Sequence, residues 1–386
     1  NKLNGSWLTQ SENMEDFFDF EENASMLYEE ITIANPEPPV PVPEEHFQVA
    51  GPDGVLRVKG IIVLPGGTYQ VEKPDILLHM GNPNTAYWIG RKISRSAFGG
   101  IYQAVAIRLC SVPDQADPNT WVWEDTGRRM AVKQSDLTRA NEGRPRVEDP
   151  VYETRVVQFL QNPGVQNPNI VHFERVFRTM EVLENGMRDT LYVVMPHYSG
   201  DLFELCWFNL HASTHFNQEE IEQLAKPFFR DIIEGMQQYM TRGLCHRDLS
   251  LENIMLSEDG RTHHSVIIDF GMSFLLPMDE LGIRCLVTRQ IPCGKESYMS
   301  PEIRSRTEFD GFSIDIWSAG VMLFMLLVGQ KPFEMAHTLD WRFRLAQTQR
   351  LPELLNSLAP DLSDEAIDLL NGMLQVDPNR RFTFQR

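Results

Sequence analysis

Between His246 and Asn253 the chain reads HRDLSLEN, which gathers an imidazole, a guanidinium, the carboxylates of Asp248 and Glu252 and the carboxamide of Asn253. IDFG follows, with Asp269 twenty-one residues after Asp248. One or two side-chain oxygens completed by phosphate oxygens are what a hard cation such as Mg2+ takes, so this stretch suits phosphate chemistry at a divalent metal. Zinc and disulfide chemistry fit poorly. The five cysteines, at 110, 206, 245, 285 and 293, form no CxxC pair and have no histidine at zinc spacing. Their pattern reads as reduced thiols in a cytoplasmic or nuclear setting.

Such groups need a scaffold, and 386 residues with 42% hydrophobic content suffice for two domains or one large two-lobed unit. A formal net charge of −19 argues against nucleic acid or an anionic membrane as the main partner and suits a basic protein or peptide. The longest apolar run, Ala319 to Gly329, falls short of the roughly 18–20 residues of a membrane span and reads as a buried helix. No signal peptide is visible. The chain opens at Asn1 without methionine and stops at Arg386, which reads as a fragment of a longer protein.

The first 50 residues carry eleven acidic side chains against one lysine, and NPEPPVPVPEE (35–45) suits an extended linker. Two readings stay open for this stretch: a disordered tail, or an acidic segment anchored by Phe17, Phe18 and Phe20 that docks on the rest of the chain or on a partner. From Gly54, VLRVKGIIVL, PGG and TYQV read as a hairpin of β-branched runs around a glycine turn. Short strands follow near Ile101–Arg108, Met130–Val132 and Leu191–Val194, and helical periodicity dominates from Gln218 onward.

RMAVK ending at Lys133, Glu153 in YETRVVQFL, HRDLSLEN, IDFG, SYMSPE, DIWSAG and DPNRRFT stand in the order of a eukaryotic protein kinase domain, which residues 87 to 386 resemble nearly in full. Each motif alone is a cheap match; the ordered set is not. The resemblance implies an α+β, two-lobed protein kinase fold, with a β-rich N-lobe over about 86–195 and a helical C-lobe over about 199–386. Residues 1–53 form an acidic, Pro-rich extension, and the hairpin-like 54–85 could be a small β module of its own or strands laid against the next domain.

What the family does with these positions can be carried over. Lys133 would hold the α- and β-phosphates of ATP, braced by Glu153 on a helix, with a simple structural ion pair as the alternative. Asp248 would accept the substrate hydroxyl proton, and Asn253 and Asp269 would bind Mg2+ or Mn2+. LYVVMPHY resembles the hinge, with Met195 as gatekeeper and the Pro196 carbonyl and Tyr198 amide facing adenine; proline there loses only an N–H. Ile101, Ala131 and Met255 match the positions that sandwich adenine, with plain core packing as the alternative. Asp201 would reach the ribose, Asp315 would brace the catalytic-loop backbone, and Arg381 would pair with Glu302.

Two departures matter. In the phosphate-covering loop, Ile93 to Gly99, Ser94 and Ser96 replace two of three glycines, which predicts weaker or slower nucleotide binding. Ser250 stands where serine/threonine kinases carry a lysine, while Lys295 stands where their activation segment has a threonine. Lys295 is therefore expected to supply the missing cation beside the γ-phosphate; the alternative is that it faces solvent or a substrate acid. The family pattern implies serine/threonine specificity, with dual specificity as the alternative, and upstream arginine recognised by Glu252 and Asp201 unless these are simply structural acids. Arg247 implies control by a phosphate on the activation segment, Thr288 being the preferred acceptor over Ser273, Ser297 and Ser300. The functional alternative is a pseudokinase that scaffolds partners through its acidic N-terminal segment.

Overall fold

Apolar side chains on both faces build the N-terminal sheet of this computed structural model, which describes residues 34–37, 40, 55–79, 82, 84–111, 121–140, 149–161, 167–183, 186–211, 216–259, 262–288 and 290–383. After β1 (Ala34–Glu37) come β2 (Val55–Leu64), β3 (Gly67–His79), β4 (Thr85–Ser96), β5 (Gly99–Ser111), β6 (Trp121–Asp136), β7 (Arg175–Leu183) and β8 (Gly186–Pro196). Because successive side chains point to opposite faces, Ile76 and Leu78 pack with Ile62, Val71, Ala86, Ile107 and Trp123. Leu77 turns the other way, toward Tyr87, Ala104, Met130 and Val132.

The seven strands run in the order β2-β3-β4-β5-β6-β8-β7, and β2 also pairs in parallel with β6, from Gly60 opposite Trp121 to Val63 opposite Glu124. Strands β2 to β6 thus close on themselves around the first cluster, to which all five contribute. The β2–β3 hairpin, whose allegiance the residues alone leave open, is part of this sheet. Of the acidic extension, only Ala34–Glu37 and Val40 are described; Phe17, Phe18 and Phe20 lie outside the described residues.

The C-terminal part is helical. The Gln218–Thr241 helix begins with a capping box, in which Asn217 accepts from Glu220 N and Glu220 accepts from Asn217 N. The Gly311–Val328 helix is apolar on every face and therefore belongs in an interior; by length and composition it could cross a membrane, yet 94% of it is buried inside the protein. Trp317 stacks there on Phe333, ring centroids 5.6 Å apart.

Short strands line the junction of the two parts: β9 (Gly200–Asp201), β10 (Leu244–Cys245), β11 (Ile254–Asp259), β12 (Thr262–Ile267), β13 (Phe274–Leu275) and β14 (Cys285–Val287). β11 lies between β12 and β9, β10 pairs with β13, and β1 lies parallel to β14. No disulfide joins the five cysteines.

Candidate active site

Lys133 is fixed by β6, opposite Ile101 of β5 and Val193 of β8. Its Nζ lies 2.6 Å from Glu153 Oε2 and 3.9 Å from Asp269 Oδ1. Glu153 comes from the Pro150–Gln161 helix, whose start is set by Asp149: its Oδ1 accepts from Val151 N at 2.8 Å and Tyr152 N at 3.2 Å. Proline at the first helical position loses no hydrogen bond. Val156, Val157 and Leu160 bury the helix face, so Glu153 is delivered by packing as well as by charge.

The loop after β10 is held from beneath by Asp315, which has no solvent exposure. Its carboxylate accepts from His246 N at 2.6 Å, Arg247 N at 2.9 Å and Tyr239 Oη at 3.0 Å. Burial pushes the Asp315 carboxyl up from its ordinary range, and the bonds donated by His246 N, Arg247 N and Tyr239 offset this only in part. Those bonds to a carboxylate offset the left-handed backbone of Arg247 (φ 70°), a conformation that costs of order 1–3 kcal/mol. His246 Nε2 donates to Ile268 O at 3.0 Å while its Nδ1 accepts from Asp248 N at 3.3 Å, which assigns the proton to Nε2.

Asp248 stands at the centre. Asn253 Nδ2 donates to its backbone oxygen at 2.7 Å and to Oδ2 at 3.0 Å, and Lys295 N donates to Oδ1 at 3.1 Å. Lys295 Nζ donates to Ser250 Oγ at 2.7 Å and lies 3.7 Å from Asp248 Oδ2. Gly294 permits this approach: its φ is +88°, and a Cβ there would sit 2.7 Å from Arg247 O.

A cleft of about 280 Å³ runs between Phe98, Ile101, Lys133, Glu153, Met195 and Asp269. Its roof is the β4–β5 hairpin, which turns at Ala97–Phe98. Ser94 opposes Ile101 and Ser96 opposes Gly99 in the ladder, and neither serine has a positive φ. Serine therefore adds no backbone strain at these two positions. Gly99 is required, because a Cβ would lie 2.1 Å from Gln134 O. Ile93 is 44% exposed on the outer hairpin, and Lys92 Nζ donates to Gly99 O at 3.0 Å across it.

At the hinge, Ala131 opposes Met195 and Met130 opposes Pro196. His197 N donates to Arg129 O at 3.3 Å, so the antiparallel alternation makes Met130/Pro196 a non-bonded pair and leaves the Pro196 carbonyl turned from β6. Pro196 and Tyr198 line a separate cavity of about 470 Å³ with His172, Gln238 and His264. Met255 sits on β11 between Asp201 and Val266.

The structure thus brings Lys133, Glu153 and Asp269 together, and separately Asp248, Asn253 and Lys295. Asp201 caps the Leu202–Leu205 helix, accepting from Glu204 N at 2.8 Å; burial and then Glu252 raise its pKa. Glu252 accepts from Tyr298 Oη at 3.1 Å. Both acids have internal work. Arg247 donates to Met272 O at 3.3 Å and stacks over Phe274 at 4.8 Å. Thr288 is half-buried, and Arg289 lies outside the described residues. Tyr298 and Lys92 were not singled out by sequence; an aromatic beside a motif and an exposed lysine on a strand carry no distinguishing signal.

The family described as protein kinase domain matches residues 119–386. The match begins beyond the serine-substituted hairpin. CBL-interacting serine/threonine-protein kinase 15 of Arabidopsis thaliana is 32% identical over 224 residues, covering 58% of this chain and 46% of that protein. CBL-interacting protein kinase 30 of Oryza sativa subsp. japonica is 29% identical over 302 residues, 78% of this chain and 52% of that protein. Maternal embryonic leucine zipper kinase of Danio rerio is 29% identical over 259 residues, 67% and 33% respectively. The chain spans about half or less of the length of these relatives.

Proposed function

This chain belongs to the protein kinase family, and from that premise we propose that it transfers the γ-phosphoryl group of ATP to a serine or threonine hydroxyl of a protein. The observation that carries this reading is the Lys133 ammonium held 2.6 Å from Glu153 and 3.9 Å from the half-exposed Asp269. A pinned cation beside an accessible carboxylate suits a metal-bound polyphosphate. The donor set also fits the metal. Among the described residues no three His, Cys, Asp or Glu side chains cluster. That suits Mg2+ or Mn2+ held by Asn253, Asp269 and phosphate oxygens rather than by a protein cage.

Bound as its metal complex, ATP would supply the phosphoryl group and the divalent charge. Lys133 holds the α- and β-phosphates, and Glu153 keeps the ammonium in place. Asn253 spends its amide hydrogens on Asp248, so its oxygen is the coordinating atom. Asp248 receives the proton of the attacking hydroxyl. Ile101, Ala131 and Met255 enclose the base, and the Pro196 carbonyl accepts from its amino group. Lys295 serves as the relocated cation, with its 2.7 Å bond to Ser250 as support. Basic substrates suit the net charge of −19, with upstream arginine meeting Glu252 and Asp201 at their outer edges.

Label transfer from γ-labelled ATP to a basic protein such as histone, with Mg2+ or Mn2+, tests the reading on the full chain. Asp248→Asn is expected to lower kcat by about 10²–10⁴ while the thermal shift given by ATP persists. Loss of both transfer and nucleotide shift in the parent chain overturns it. One observation favours nucleotide binding without transfer: the roof hairpin pairs through Ser94 and Ser96 as ordinary ladder. A thermal shift without label would select that reading.

A further inference from the structure

Residues 34–37 and Val40 make main-chain contact with both limbs of the segment that runs from Asp269 to Glu302. β1 lies parallel to β14, Ala34 opposite Cys285 and Glu37 opposite Val287. Val40 N donates to Leu275 O at 3.0 Å and Leu275 N donates back to Val40 O at 2.9 Å. The far side of each limb is tied to the catalytic machinery. β13 pairs with β10, which leads directly into His246. Val287 exchanges bonds of 2.7 and 3.2 Å with Phe309, next to the buried Arg284–Asp310 pair that caps the Gly311–Val328 helix.

The occupant suits its place. Pro36, Pro38, Pro39 and Pro41 cannot donate, so ANPEPPVP can add to an edge while offering little to a further strand. Proline-rich chain is also extended before it docks, which lowers the ordering cost of strand addition. Arg247, through which a phosphate could order the segment, is instead engaged by Met272 O and the Phe274 ring.

We propose that the 269–302 segment carries a strand-accepting surface whose occupant is the chain's own β1 and Val40, and that this seating holds the segment where Lys295 reaches Asp248. The seating rests on main-chain geometry alone; its catalytic consequence rests on the kinase reading. Two variants of the full chain test it: Val40→Pro, which removes the donor to Leu275 O, and replacement of residues 34–40 by a glycine–serine stretch of equal length. Hydrogen exchange at the Leu275 amide is expected to quicken at least about tenfold in one or both, with the Gly311–Val328 helix unchanged. With basic substrate, kcat is expected to fall at least about fivefold at unchanged KM for ATP. Unchanged Leu275 exchange in both variants overturns the seating. Faster exchange with undiminished turnover overturns the catalytic consequence. A parent chain without label transfer removes the kinase reading and leaves the exchange result to decide the seating.

Discussion

Replacing Lys295 with methionine removes a cation 3.7 Å from Asp248 Oδ2 and 2.7 Å from Ser250 Oγ while keeping most of the side chain's length. At that 3.7 Å separation, two unit charges interact by about 1.1 kcal/mol in bulk water and about 4.5 kcal/mol at an effective dielectric of about 20. The Lys295 side chain is 36% exposed, so solvent screening places the effect between those limits, at about 2–3 kcal/mol. If the ammonium lies at a comparable distance from charge developing in the transferred group, an interaction of the same size there appears in kcat as a loss of about 30- to 150-fold. KM for ATP should stay nearly constant, since Lys133 and the metal carry ground-state binding. Steady-state transfer to a basic peptide measures both parameters. The charge can then be moved: Ser250→Lys with Lys295→Thr should recover activity to within about tenfold of the parent, because a transition-state cation needs proximity rather than one backbone origin. Turnover of Lys295→Met within twofold of the parent refutes the argument, and Lys295 is then a surface lysine that bonds a serine.

The buried Arg381–Glu302 pair gives a stability prediction. Arg381 is bidentate to Glu302 at 2.6 and 3.1 Å and also donates to Ser313 and Gln375. Arg381→Leu, which strands Glu302 uncompensated, should cost about 3–5 kcal/mol in urea unfolding; a loss under about 1 kcal/mol would contradict it. Asp231 gives a pH prediction. Burial raises its pKa, so the folded state binds more protons than the unfolded state above the ordinary aspartate range of about 3.9, and stability falls as pH rises through that window. Asp231→Asn keeps an acceptor for Ser265 N and should gain on the parent chain as pH climbs from about 4. Parallel stability curves for the two proteins would count against that sign.

What the sequence made legible was whatever is local. HRD, DFG and the lysine strand are short motifs whose order survives any uncertainty about packing, and the β-branched runs at 55–64 and 68–71 signalled strands. The partners of those strands were not legible. Gly60 meeting Trp121 is a long-range pairing that no periodicity encodes. Lys295 was reachable as a compensation between two motif positions, yet the 2.7 Å bond depends on Gly294 adopting positive φ. Arg247 suggested a phosphate ligand because a guanidinium in that motif seeks an anion; Phe274 and Met272 O satisfy much of it instead. Val40 on Leu275 had no signal at all, since main-chain pairing leaves little trace in side-chain identity.

The parallel contact between β2 and β6 also shapes how the lobe is made. During synthesis the β2–β3 hairpin leaves the ribosome with Ile62, Val71 and Ile76 on one flank, and the indole of Trp123 that completes their cluster is translated much later. Until then the nascent chain shows a sticky ribbon, and loop-closure entropy slows its capture. A chaperone that shields extended apolar chain therefore has its natural client in this hairpin rather than in the helices, which gain much of their order from neighbours in sequence.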